Sequence, residues 1–283
     1  MTVQQALGQA RTTLAEAGIE DASLEAELLL RHVLKADQVG LYLALPDVLD
    51  SKHHADFQRL VARRLKGEPT AYITGHREFF GIDFTVRPGV LIPRPETELL
   101  VEKAMELARR YESPAIVDIG TGCGAIAISL ALNLPAARVC ATDISPEALA
   151  VARENCLKHG VKVELVQGDL LEPLPGPWDI IVANLPYVRS AELGRLIDFE
   201  PRLALDGGED GLDVIEPLCR PAGETLKPDG CLLLEIGQGQ SILVTELLRQ
   251  AFPEAGVEAF SDLAGIERVV ICLMKAACPC VNI

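Results

Sequence analysis

Residues 178–188, WDIIVANLPYV, set an apolar run directly before Asn184, Leu185, Pro186 and Tyr187. A side-chain amide is costly to bury without partners. An Asn ending an apolar strand therefore needs a turn that satisfies it or a ligand for it to hold. Its carbonyl and the backbone carbonyl of Leu185 could together accept both N–H groups of a second planar nitrogen. Tyr187 could pack against that planar group and exclude water, and Pro186 pushes Leu185 toward an extended conformation. The plainer alternative is a strand ending in an Asx turn.

A second constellation lies upstream. VDIGTGCGAIA carries Asp118, Gly120, Thr121, Gly122, Cys123 and Gly124 between an apolar run and a helical pattern. Glycines there remove Cβ atoms where a ligand must approach the backbone. Asp143 follows 23 residues after Gly120, where an acid ending the next strand reaches ribose hydroxyls. Gly120, Gly122 and Ala125 also satisfy G-x-G-x-x-A, so the loop alone leaves a nicotinamide dinucleotide open. Asp118 would repel a pyrophosphate but suits the ammonium of an amino-acid cofactor. Asp169, at the end of a third strand, can accept from an adenine amine or cap the following loop, and Leu170 beside it is a further cofactor-binding candidate. Carboxylates at three successive strand ends point to S-adenosylmethionine.

These residues need a scaffold. From about residue 113 the pattern alternates strand and helix: AIVDIG, AIAISLALNL, ARVCATDIS and PEALAVARENCLKHG, the last opened by Ser145 and Pro146 and closed by Gly160. Such alternation predicts a mostly parallel sheet covered on both faces. Two strands within VEAFSDLAGIERVVICLMK, with no helix between them, predict an antiparallel hairpin at one edge. Residues 1–75 instead show apolar stripes at helical spacing (Val3, Ala6, Leu7, Ala10, Leu14) and predict a small helical bundle. Residues 76–94 read as a β-hairpin and linker, with Tyr72, Ile73 and Gly75 in its first arm and Phe80, Ile82, Phe84 and Val86 in its second. The sheet domain then occupies 95–283.

With these elements in place, D-x-G-x-G-x-G, the acid after the second strand and Asn-x-Pro-Tyr after the fourth resemble a class I, Rossmann-like S-adenosylmethionine-dependent methyltransferase acting on a planar nitrogen. Longer segments narrow the resemblance. GEPTAYITGHREFFGIDFTVRPGVLIPRPETELLVE (67–102), FEPRLALDGGEDGLD (199–213), LLLEIGQGQ and DLAGIERVV are similar to the PrmC/HemK family, the peptide-chain release factor glutamine methyltransferases. The similarity spans nearly the whole chain. It implies methylation of the glutamine side-chain amide in the Gly-Gly-Gln loop of bacterial release factors, with the N-terminal bundle gripping that protein. Asn184, Leu185, Pro186 and Tyr187 would be catalytic, with Asn184 also touching the cofactor. Leu185 departs from the family, which usually has Asn-Pro-Pro-Tyr. RPGVLIPRPETE (87–98) either walls the site, with Phe79, Phe80 and Arg94 near the substrate, or is a mere linker; Glu200 and Arg202 are expected as a pair, and EPRLALDGGEDG (200–211) as a lid or a long surface loop.

Net charge is −15, from 26 Lys+Arg against 41 Asp+Glu. A protein gripping many phosphates needs a basic face, so direct nucleic-acid binding is not expected, and an adenine-amine methyltransferase of DNA is the weaker alternative. A glutamine methyltransferase of a large-subunit ribosomal protein and a non-catalytic adaptor with a decayed site are the others. Eight cysteines form no CxxC pair and read as buried thiols; Cys278 and Cys280 read as a frayed terminus. His76 and His159 read as residues of solvated turns. No metal site, membrane span or targeting segment is expected, which predicts a cytoplasmic monomer.

Overall fold

The computed structural model describes residues 1–194 and 198–275. Cys278 and Cys280 lie outside them. The chain divides into two compact units, residues 1–76 and 77–283.

In the first unit, α1 (Val3–Glu16), α2 (Ala22–Leu34), α3 (Gln38–Leu43), α4 (Ser51–Leu65) and α5 (Thr70–Thr74) follow one another. Thr2 opens α1 through a reciprocal cap. Its hydroxyl accepts the Gln5 N–H at 3.2 Å, and the Gln5 side chain accepts the Thr2 N–H at 2.9 Å. The Asp50 carboxylate opens α4 by accepting from the Lys52 and His53 N–H groups, both at 2.9 Å. The stripe from Val3 to Leu14 is buried against Leu29, Leu30 and Phe57. Glu25 of α2 pairs with Arg64 of α4 and accepts the Thr70 hydroxyl at 3.1 Å.

The hairpin differs from expectation. Tyr72 and Ile73 are buried on α5, which Gly75 ends at φ 83°. The strands are β1 (His76–Phe79) and β2 (Ile82–Thr85). A two-residue turn of Phe80 (φ 53°) and Gly81 (φ 69°) joins them, the left-handed pair that matches strand twist. An apolar pair this short carries no period, so Pro69 before it and Gly75 after it decide for a helical turn. The histidines also differ. His76 starts β1 and stacks on His32, with ring centroids 6.4 Å apart. His159 ends a helix, packs on Phe84 at 5.6 Å and meets the Asp83 carbonyl at 2.9 Å.

The second unit continues with α6 (Glu98–Ala108), β3 (Ala115–Ile119), α7 (Ala125–Asn133), β4 (Arg138–Asp143), α8 (Pro146–His159), β5 (Glu164–Gln167) and β6 (Trp178–Ala183). Then come α9 (Ile215–Thr225), β7 (Leu226–Glu235), α10 (Ser241–Ala251), β8 (Gly256–Ser261) and β9 (Glu267–Leu273). The seven strands lie in the order β5-β4-β3-β6-β7-β9-β8. The first five are parallel, and β9 runs antiparallel to both β7 and β8. Ser145 and Pro146 do open α8, and Gly160 closes it at φ 66°.

Strand β6 is buried along its whole length. Its one charge, Asp179, takes two bonds from Lys227 at 2.8 Å and the Ala115 N–H at 2.8 Å, as a buried carboxylate must. The chain runs outward from β3 through β4 to β5, then returns to place β6 on the other flank of β3. The resulting crevice beyond the carboxyl ends of β3 and β6 is the position where open α/β sheets bind ligands. Gly120 and Asn184 follow strand ends there, and Asp143 closes β4 beside them.

Candidate active site

The crevice holds a cavity of about 530 Å³, within the usual size range of small-molecule sites. Gly120, Thr121, Gly122, Cys123, Asp143, Asp169, Leu170, Asn184, Leu185 and Pro186 line it. Asp118, Gly124 and Tyr187 do not; each stands behind the wall.

Parallel pairing aligns β3 with β4 and turns the backbone at Gly120, whose N–H donates to the Thr142 carbonyl at 2.9 Å, as does that of Thr121. Gly120, Gly122 and Gly124 take φ values of 71°, 59° and 85°, a left-handed region that penalises any Cβ. A Cβ on Gly120 would also lie 3.2 Å from Leu185 Cδ2, and one on Gly124 2.9 Å from Ile128 Cδ1. The loop is thus a backbone surface, with Gly124 at the start of α7.

The three acids have separate tasks. Asp143 ties the loop down, accepting the Gly122 N–H at 2.8 Å and the Ser145 N–H at 2.9 Å. Burial raises its pKa against those bonds. Asp118 is fully buried beneath the loop and accepts the Thr121 hydroxyl at 2.6 Å and the Ala127 N–H at 3.2 Å, both on Oδ2. Oδ1 is buried without a partner, and burial pushes the carboxyl up to about 7. Asp169 lies on the cavity wall beside Leu170. Leu170 is left-handed at φ 46°, with its carbonyl accepting the Thr142 hydroxyl at 3.0 Å. Strain of this kind concentrates at functional sites.

Asn184 extends from the end of β6, and its Nδ2 donates to the Thr97 hydroxyl at 3.1 Å. That leaves Oδ1 as the side-chain atom available for another donor. Leu185 is 4 % exposed and packs over Gly120, with its Cδ2 3.2 Å from where a Cβ on that glycine would lie. Tyr187 turns away from the cavity: its phenol donates to Glu235 Oε1 at 3.1 Å. Burial, then the neighbouring Glu235 charge, raise that phenol's pKa. The Tyr187 carbonyl accepts from Gln240 Nε2 at 3.0 Å, and Gln240 Oε1 accepts the Gly237 N–H at 2.8 Å.

The segment after the turn is fastened to it. The Val188 N–H donates to the Leu205 carbonyl at 2.9 Å, the Gly207 N–H to the Val188 carbonyl at 2.8 Å, and the Ser190 N–H to the Gly208 carbonyl at 2.8 Å. The 205–208 stretch is therefore a strap over the turn rather than a free flap. Glu200 and Arg202 do not pair. Glu200 is 7 % exposed, pairs with Arg94 and accepts the Ile92 N–H at 3.1 Å, while Arg202 pairs with Asp206 at 2.7 Å. A buried carboxylate needs every bond it can reach, and the Ile92 N–H with the Arg94 guanidinium offers more than a solvated arginine. Arg94 lines the cavity. Phe79 and Phe80 do not; Phe79 is buried against Phe84 at 6.1 Å.

Thr97, Glu235 and Gln240 join the site without having been expected there. The signal for Glu235 is the same as for Asn184: a polar residue closing an apolar strand.

Fold and site together define a class I methyltransferase, and known proteins agree. Residues 5–75 match the PrmC N-terminal domain and residues 95–198 the methyltransferase small domain. The release factor glutamine methyltransferase of Moorella thermoacetica is 46% identical over 95% of this chain and 97% of its own. That of Geobacter sulfurreducens is 44% identical over 95% of each. The chain belongs to the release factor glutamine methyltransferase family. A methyltransferase structure from Pyrococcus furiosus shares the fold, with TM-score 0.52 at 20% identity over 69% of this chain and 90% of that one.

Proposed function

We propose that this protein transfers a methyl group from S-adenosylmethionine to the side-chain amide nitrogen of the glutamine in the Gly-Gly-Gln motif of bacterial peptide-chain release factors. The observation that carries it is Asn184: its amide donor is committed inward to Thr97, so its carbonyl serves an incoming amide at the rim of the cavity.

The residues fit this cofactor. Left-handed glycines form a cradle that a Cβ would obstruct. Asp143 has backbone N–H groups on its two oxygens and lone pairs to spare for ribose hydroxyls. Asp169 and Leu170 would meet the adenine. Asp118 would act from beneath, fixing Thr121 and the start of α7 so that the cradle keeps its shape. When bound, S-adenosylmethionine supplies a methyl carbon on a positively charged sulfur that departs as a neutral thioether.

An amide nitrogen is a poor nucleophile because its lone pair is delocalised, and it is barely acidic, so a base gives little help. Asn184 Oδ1 and the Leu185 carbonyl instead accept its two N–H bonds. This aims the lone pair at the methyl carbon and stabilises the positive charge that develops on nitrogen. The extra proton leaves to water after transfer. Tyr187 fixes the turn through its carbonyl and phenol. A net charge of −15 supports a protein substrate over nucleic acid. We place the reaction in the cytoplasm, with one chain as the working unit.

The test is direct. The protein is incubated with S-adenosylmethionine and a release factor, and the Gly-Gly-Gln peptide is weighed. One added methyl, lost in Asn184→Ala, is expected; an unmodified peptide despite cofactor binding would refute the substrate.

A further inference from the structure

S-adenosylmethionine carries a sulfonium, an ammonium and a carboxylate. The cavity suits its cations, since Asp143, Glu147 and Asp169 line it and Asp118 lies beneath the glycine loop. The carboxylate is the difficult group. Among acids and away from water, an anion is costly to hold unless a donor meets it.

Most donors around the cavity are already spent. In the glycine loop, the Gly120 and Thr121 N–H groups go to the Thr142 carbonyl, that of Gly122 to Asp143 and that of Gly124 to the Thr121 carbonyl. The hydroxyls are spent as well: Thr121 donates to Asp118, Thr142 to the Leu170 carbonyl and Ser145 to Glu147. Asn184 Nδ2 is committed to Thr97. These groups shape the cavity but have no hydrogen to offer an anion.

Arg94 is different. Among the described residues, it is the one Lys, Arg or His on the cavity lining. Its guanidinium gives one N–H to Glu200 and keeps the others, with the side chain 35 % exposed. Glu200 is fixed in turn, because its other oxygen accepts the Ile92 N–H at 3.1 Å. The guanidinium is thus anchored on one edge, and its planar fork can serve a second carboxylate along another. We propose that Arg94 forms the carboxylate subsite of the cavity: held by Glu200, it takes the methionyl carboxylate of S-adenosylmethionine. The inference deepens the reading of the cavity as the cofactor site and rests on it. It gives the segment before α6 a binding task, and it sets the amino-acid end of the cofactor against the same wall that carries Thr97.

Calorimetry with S-adenosylmethionine and with its decarboxylated analogue, which keeps the sulfonium and the amine, tests this without any release factor. Arg94→Gln alone leaves Glu200 buried without its cation, and that uncompensated charge would itself repel a carboxylate. The decisive protein is therefore the double variant Arg94→Gln/Glu200→Gln, which keeps the net charge of the wall and allows an amide pair in place of the ion pair. Its Kd for S-adenosylmethionine should weaken by about 10- to 100-fold, the scale of one hydrogen bond to a charged group. Its Kd for the analogue should move by less than about threefold. Arg94→Gln should lose at least as much affinity for S-adenosylmethionine. A double variant that weakens both ligands alike would make Arg94 and Glu200 a structural clasp only, and one that binds S-adenosylmethionine like the wild type would assign Arg94 to another partner; either result overturns the subsite. A wild-type protein that binds neither ligand overturns the reading of the cavity itself, and the subsite with it.

Discussion

Gly120→Ala tests whether backbone shape and Leu185 jointly set cofactor affinity. Gly120 sits at φ 71° with its N–H bonded to the Thr142 carbonyl at 2.9 Å. An alanine there costs about 1–2 kcal/mol for the left-handed backbone alone. Its Cβ would also meet Leu185 Cδ2 at 3.2 Å. That atom is the end of a flexible side chain and can yield by a few tenths of an ångström, adding up to about 1 kcal/mol. If the loop relieves this by shifting, about 2 kcal/mol appears as a Kd for S-adenosylmethionine roughly 30-fold weaker. If it does not, the same energy appears as a melting temperature lower by about 4–8 °C for a unit of this size. Calorimetry of binding and of unfolding separates the two routes. Repeating both in a Leu185→Ala background removes the contact term and leaves the backbone term, so the two substitutions should couple by up to about 1 kcal/mol. Wild-type affinity together with a wild-type melting temperature in Gly120→Ala would refute the claim that this backbone must be bare.

Gln240→Ala should destabilise by about 1–3 kcal/mol, because it leaves the Tyr187 carbonyl and the Gly237 N–H without partners; urea unfolding that overlays the wild type would contradict this. Asp118 has a folded pKa near 7 against 3.8 in the unfolded chain, so the native state holds its proton longer. Its contribution to stability should therefore fall between about pH 4 and 7 and level off above. Asp118→Asn should flatten that part of the stability profile, and parallel curves for the two proteins would disprove the assignment. Burial drives the Cys123, Cys140, Cys231 and Cys272 thiols up to about 12. Iodoacetamide at pH 8 should leave those four unlabelled in the folded protein, as peptide masses would show.

Features that depend on near neighbours along the chain are legible in the amino-acid sequence. The α1 stripe, the Ser145-Pro146 opening of α8 and the glycine loop each combine local propensity with an immediate neighbour. Asn184 is conspicuous because an amide at the end of an apolar strand demands a partner. Pairings across distance are not legible in this way. Glu200 finds Arg94 across 106 positions, while Arg202 beside it in sequence offers a false partner. Thr97 means nothing until α6 brings it under Asn184. Tyr72 and Ile73 mislead for another reason: two apolar residues fit a strand and a helical turn equally well.

The strap over the NLPY turn also limits how this enzyme can change. Added Cβ atoms on Gly207 and Gly211 would fall 2.8 Å from the Pro186 carbonyl oxygen and 2.4 Å from the Tyr187 carbonyl oxygen, and one on Gly237 would fall 3.1 Å from Tyr187 Cδ2. The turn is cast in a mould made largely of bare main chain, and bare main chain offers selection nothing to exchange. Adaptation to a new protein substrate must therefore occur around the mould, at rim positions such as Leu203 and Val214, while the chemistry inside it stays fixed.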